Sequence, residues 1–153
     1  MMEMSRKDKC MEQEAMLDVL KSAEYGVLST IGEDGYPYGV PVNYAYDDGT
    51  IYIHGTGFMG HKNSNLSYSD KVCFNVVRNA EVLPSDFNSR FESVVVFGSA
   101  KRAEENKVKG LKLLIDKYSQ DFQEAGMKYI EKALDKVLVY EIKVESMTGK
   151  AKY

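Results

Sequence analysis

Residues 51–66 of the chain, I-Y-I-H-G-T-G-F-M-G-H-K-N-S-N-L, combine groups able to hold an anion. A β-branched strand runs into a loop carrying Gly55, Gly57 and Gly60, and the loop delivers His61 and Lys62 to the head of a short polar segment. Glycines let backbone amides approach a ligand closely, and a helix N-terminus presents unpaired N–H groups. With an imidazole and an ammonium at the same point, the pattern describes a seat for a phosphate. The three glycines also satisfy the dinucleotide fingerprint G-x-G-x-x-G, and Glu81 lies near the position of a ribose-binding acid. That fingerprint requires a helix long enough to cross a parallel sheet. The segment from His61 to Asp70 offers only Leu66 and Tyr68 as large apolar residues before the next strand, so a nicotinamide fold is disfavoured.

The elements that position this seat follow from periodicity. Met11, Ala15, Met16, Val19, Leu20 and Ala23 recur at helical spacing and predict an amphipathic helix over about 8–23. Strands are predicted over 25–31, 36–46 and 50–54, joined by Gly32-Glu33-Asp34-Gly35 and Asp47-Asp48-Gly49, which carry the Asp-Gly chemistry of tight hairpins. Further strands are expected over 72–78, 91–101 and 137–144. Helices are expected around Val108–Tyr118 and Met127–Leu134. Consecutive strands with short turns argue for a mainly β fold with peripheral helices, closed as a barrel. Tyr38, Val40, Val42, Tyr44 and Tyr46 alternate with Gly39, Pro41, Asn43 and Ala45, giving an aromatic face suited to sealing against a partner. Pro41 cannot donate a ladder hydrogen bond, so it marks an edge or a bulge where neighbouring backbone groups stay free.

Bulk properties set the surroundings. The chain has 153 residues, a net charge of −3 and a sequence pI near 5.5. These values fit a single domain over 1–153 and disfavour nucleic acid as a partner. No apolar run reaches bilayer length and the first nine residues are polar, so neither a membrane span nor a signal peptide is expected. Cys10 and Cys73 lack C-x-x-C spacing. Cys73 falls within an apolar strand, as a reduced thiol in a cytoplasmic protein would. Two histidines without clustered ligands give no reason to expect a metal.

Four pieces in order carry a resemblance: Asp34-Gly35-Tyr36-Pro37-Tyr38 with Pro41-Val42-Asn43-Tyr44; Ile53-His54-Gly55 leading to Gly60-His61-Lys62; Ser93 to Ala100; and Thr148-Gly149-Lys150. The chain resembles the pyridoxamine 5′-phosphate oxidase-like superfamily of FMN-binding split barrels, and within it the nitroimidazole-resistance (Nim-like) branch. The resemblance implies a split β-barrel homodimer with FMN in the grooves between subunits. It implies that Val42, Asn43 and Tyr44 lie along the isoalloxazine ring, with Tyr44 contacting mainly through its backbone. His54 and the loop to Gly60 would lie beside the ribityl chain and phosphate, His61 and Lys62 on the phosphate, and Ser93 would reach the flavin from the partner subunit. Oxidases of this superfamily proper have arginine where His61 stands and a longer C-terminal part, so vitamin B6 synthesis is not expected. The expected function is an FMN-dependent oxidoreductase that reduces a small, possibly nitro-aromatic, acceptor. The alternatives are a non-enzymatic flavin-binding protein, or the same barrel holding haem or the deazaflavin F420. No catalytic acid, base or nucleophile is identifiable, and flavin chemistry requires none.

Overall fold

The computed structural model describes residues 2–56 and 60–153. The central part of the predicted phosphate loop, residues 57–59, lies outside them. In chain order the regular elements are α1 (Gln13–Ser22), β1 (Gly26–Ile31), β2 (Pro37–Val42), β3 (Ala45–Asp47), β4 (Thr50–Thr56), α2 (His61–Tyr68), β5 (Lys71–Leu83), β6 (Asn88–Arg102), α3 (Lys107–Tyr118), α4 (Gln123–Ala133) and β7 (Val137–Lys152), with short 3-10 turns between some of them. The seven strands form one antiparallel sheet in the order β2-β1-β5-β6-β7-β4-β3.

That order closes the sheet. β2 and β3 are its two edges, yet only Asn43 and Tyr44 separate them in the chain. With two residues between them, Val42 and Ala45 stand at most about 10–11 Å apart, so the sheet must curl until its edges meet. The result is a split β-barrel, as the short connectors and edge proline imply. The strand expected over 36–46 is therefore two strands on opposite edges, broken at Asn43-Tyr44. Pro41 lies in edge strand β2, opposite Val27 of β1.

Alternation sorts the side chains into two cores. Leu28, Phe74, Val94, Val96, Ile51, Ile53 and Ile142 fill the barrel, and Val19 and Leu20 of α1 pack into the same cluster. Full burial of an aliphatic side chain of this size is worth about 1.5–3 kcal/mol. A second core lies outside the barrel, where Leu111, Leu114, Ile130 and Ala133 of α3 and α4 cover Ala45, Tyr52, Val137 and Val139. α1 is pinned by Arg78, which donates to Asp18 and to the Ser22 hydroxyl on the helix and to Glu92 on β6.

Several expectations need correction. Tyr44 is fully buried in the barrel core, and Val40, Val42 and Tyr46 pack against that core. The face read as a seal against a partner is thus the interior of this subunit. The N-terminal helix starts at Gln13, because Cys10 bridges to Lys150 and Met11 donates its N–H to the Gly149 carbonyl, which holds that stretch along the end of β7. β7 runs on to Lys152, so Thr148-Gly149-Lys150 lies within a strand. The Asp-Gly turn is as expected, with Asp48 at φ 42° and Gly49 at φ 81°.

The β6–β7 ladder slips between Phe97 and Gly98, where Phe97 faces Ser146 and Gly98 faces Val144. A Cβ on Gly98 would stand 2.3 Å from the Lys143 carbonyl oxygen, which is backbone and cannot move aside. Gly98→Ala should therefore destabilise the fold by about 1–3 kcal/mol. Gly39→Ala, whose Cβ would meet Val27 at 3.4 Å and the Ser29 Oγ at 3.5 Å, both ordinary contacts with side chains, should cost far less. Urea unfolding midpoints for the two variants check this, and equal midpoints would refute it.

Candidate functional site

The barrel's closure and the helical cover create the site. α2 follows β4 after Gly60, whose φ of 138° only glycine adopts without strain. The helix is polar, and amide side chains rather than an apolar stripe anchor it. Asn65 donates to the Thr30 hydroxyl at 3.0 Å, and Tyr140 donates to the Asn63 side-chain oxygen at 3.2 Å. Asn63, Asn65 and Leu66 are all buried. These bonds aim the N-terminus of α2 at the end of β4.

Lys62 and His61 diverge. The Lys62 side chain folds back across Gly55, with its ammonium 3.5 Å from the His54 carbonyl oxygen. A Cβ on Gly55 would lie 3.0 Å from that ammonium, so the missing side chain is what admits it. Burial lowers the Lys62 pKa. The ion pairs found among the described residues include none to Lys62. His61 is exposed and stacks on Tyr38 of β2, with ring centroids 3.9 Å apart and planes 23° apart. The pair expected to act together on one phosphate thus splits into an inward ammonium and an imidazole held on the barrel edge.

His54 is half-buried. Its neighbours Ile51 and Ile53 point into the barrel, which leaves His54 on the side covered by α3 and α4. Burial first, and then the Lys62 charge, hold the imidazole pKa below its ordinary value. Its Nδ1 is buried with no hydrogen-bond partner among the described residues. A buried polar atom of this kind is costly unless something satisfies it. His54 and Asn43 form the polar floor of a groove of about 440 Å³, whose walls include Leu114, Ile115, Phe122 and Tyr129 of the helical cover.

Tyr118, at the end of α3, bounds this groove and a second one. Its hydroxyl donates to the Glu24 carbonyl at 2.6 Å and accepts the Tyr44 N–H at 3.1 Å. The Tyr44 amide, expected to be free for a ligand, is therefore engaged. The Tyr44 side chain lies inside the barrel, where its hydroxyl donates to the Leu20 carbonyl. Val42 is likewise turned inward. Asn43 alone of the three is exposed, and it lines both grooves. The second groove, about 610 Å³, is lined by Lys21, Ser22, Tyr25 and Lys117 as well. Ser93 sits on the outer face of β6 opposite Val77 and Lys150, and lines neither groove.

Lys117 is the group that sequence reasoning missed. Its ammonium is 3.6 Å from the centroid of the Tyr44 ring, buried, and without a hydrogen-bond acceptor among the described residues. Its only legible signal was a lysine on the apolar side of α3, one residue before Tyr118.

These features fit a flavin mononucleotide. An inward ammonium beside a helix N-terminus suits its phosphate, a glycine-cleared approach suits its chain, and a flat apolar groove with an unsatisfied imidazole suits its ring. The strand order and closure define a split β-barrel. A family model described as pyridoxamine 5′-phosphate oxidase matches residues 12–151, and the chain belongs to that family. A Bacteroides thetaiotaomicron protein described as a candidate 5-nitroimidazole antibiotic resistance protein is 25% identical with a TM-score of 0.79, over 92% of this chain and 85% of that one. A conserved hypothetical protein from Mycobacterium tuberculosis is 21% identical with a TM-score of 0.81, over 97% and 90% of the two chains. An FAD-binding protein from Mesorhizobium loti is 20% identical with a TM-score of 0.66, over 95% and 98%. No curated protein matches the chain in sequence.

Burial brings the Lys117 pKa from the ordinary 10.5 down to about 8. Below pH 8 the folded state carries the cost of a desolvated ammonium. Between about pH 8 and 10.5 the unfolded chain binds the extra proton, so this contribution makes stability rise with pH. Lys117→Met should abolish that rise. Urea unfolding at pH 7.5 and pH 10 should show the wild type gaining on the variant, and parallel changes in both would refute the assignment.

Proposed function

We propose that the chain binds FMN and acts as an oxidoreductase that reduces a small planar acceptor. The inward-facing Lys62 ammonium carries this reading. It stands at the N-terminus of α2, without a carboxylate among the described ion pairs, next to the His54 end of an apolar groove. Family membership and the resemblance to an FAD-binding protein support a flavin. One anion seat, with no second glycine-rich or basic segment in the sequence, favours the mononucleotide over FAD.

When bound, FMN supplies the hydride or electron transfer itself. The chain's part is placement. Lys62, the α2 amides and Gly60 would hold the phosphate, and the aromatic pair of His61 and Tyr38 would flank it. His54 and Asn43 would offer hydrogen bonds to the ring's polar edge, with the strand backbone at Val42 and Tyr44 behind them. Helices α3 and α4 exclude water from one side. No acid or base among these residues is needed to move a proton for flavin reduction.

The protein as purified should show oxidised-flavin bands in the visible, and the cofactor released by denaturation should co-migrate with FMN. Lys62→Met should weaken FMN binding by roughly ten- to a hundredfold, the value of one charge-assisted contact of about 1.5–3 kcal/mol. Recovery of FAD or haem, or unchanged FMN affinity in Lys62→Met, would overturn the reading.

The same reading includes a homodimer, with Ser93 of each subunit turned toward the other's flavin. An uncharged strip on the outer sheet face supports it. Val27, Asn75 and Val95 stand in one row across β1, β5 and β6, and Ser29, Cys73 and Phe97 in the next. Phe97 is 39% exposed in the single subunit and Val77, nearby on β5, is 49% exposed. Sedimentation should find a dimer, and Val95→Lys should shift it to monomer with weaker FMN binding. A flavin-loaded wild-type monomer would defeat the dimer model.

A further inference from the structure

The second groove does not belong to the phosphate seat. It meets the apolar groove at Asn43 and Tyr118, is not lined by His54, and is polar where the first is greasy. Two cations, Lys117 and Lys21, and one carboxylate, Glu24, line it. We propose that this groove is the acceptor subsite and that Lys117 is its cationic seat, selecting planar molecules that carry one carboxylate or a comparable anionic group. The inference deepens the proposed function by naming the acceptor's class, and it rests on the first groove being the flavin's.

The argument is the state of the Lys117 ammonium. It is packed on the Tyr44 ring, and none of its three N–H groups has an acceptor among the described residues. The ring face supplies part of what water would, though a cation–π contact replaces hydration only in part. A desolvated charge without a counter-ion is a costly arrangement. It is also one that an incoming anion relieves at once, because the attraction acts in a poorly screened site. The four-carbon stem of a lysine lets the ammonium turn from the ring into the groove. Tyr118 and Tyr25 line the same space and offer aromatic surface for a flat body. Asn43 stands where the two grooves touch, so an anion held at Lys117 would extend toward the first groove. Lys21 adds a second charge of the same sign to the lining, and with Glu24 as the one carboxylate the groove keeps net positive charge.

Calorimetric titration of 4-nitrobenzoate against its neutral counterpart 4-nitrobenzamide tests the proposal, on FMN-loaded and on FMN-free protein. The carboxylate should bind roughly ten- to a hundredfold more tightly, the range for a charge-assisted contact. Lys117→Met should erase that preference, and Lys112→Met, which removes an exposed charge from the same helix, should keep it. Equal affinities in the wild type, no binding of either compound, or a preference that survives Lys117→Met would each overturn it. Should Lys117→Met fail to fold, the wild type still carries the test. Saturation with 4-nitrobenzoate should then raise the Lys117 titration midpoint measured by NMR, and an unmoved midpoint would refute the assignment. Failure of FMN to bind would bring down the proposed function, while the preference for the anion remains readable on the FMN-free protein.

Discussion

The two residues between β2 and β3 govern the architecture. Because Asn43 and Tyr44 must join the outermost strands of a seven-stranded sheet, the sheet has no choice but to roll up. Tyr44 then drops inward, edge-on to Phe74 with ring centroids 4.8 Å apart, and its hydroxyl ties the joint to α1. Asn43 is thrown outward by the same alternation. A single closure thus places one residue in the core and its neighbour at the meeting point of two grooves. Tyr118 completes the joint from outside by bonding to the Tyr44 amide and the Glu24 carbonyl, so α3 is fastened to the seam it covers.

Electrostatically the site departs from the rest of the molecule. The chain is acidic overall, yet Lys62, Lys117 and a partly desolvated His54 lie along the grooves, and neither lysine has a carboxylate among the described ion pairs. Most other lysines and arginines that are paired among the described residues reach carboxylates at the surface. Exposed pairs of that kind contribute little. Desolvated, unpaired cations are different in kind. They hold a potential that water does not quench, which an anionic cofactor or substrate can use.

Sequence periodicity carried the fold well where patterns were local. The Asp-Gly turns, the amphipathic helices and the edge proline were all legible, because each depends on a few neighbouring residues. The break at Asn43-Tyr44 was not, since both sides keep the same alternation and only the distant pairing with β1 and β4 separates them. The buried amides of α2 read as a polar surface segment, because their partners Thr30 and Tyr140 lie far off in the chain. For the same reason His61 and Lys62 read as a pair. Adjacent positions on a helix point about 100° apart, and Tyr38 and His54 draw them to different sides. Lys117 carried little signal because a lysine on a helix is ordinarily solvated, and it is the tertiary placement of the Tyr44 ring against its ammonium that sets it apart.

The place of β7 has a consequence for how the chain is made. In the sheet it stands between β6 and β4, and among the described residues it alone pairs with both. Without it, β2-β1-β5-β6 and β4-β3 are two ribbons with no backbone ladder between them among the described residues. During synthesis from the N-terminus, every other strand therefore leaves the ribosome before the one that can unite them. The sheet cannot close until β7 has paired with both ribbons. The grooves, which need α3 and α4 seated on the wall, take shape only once β7 has joined the sheet.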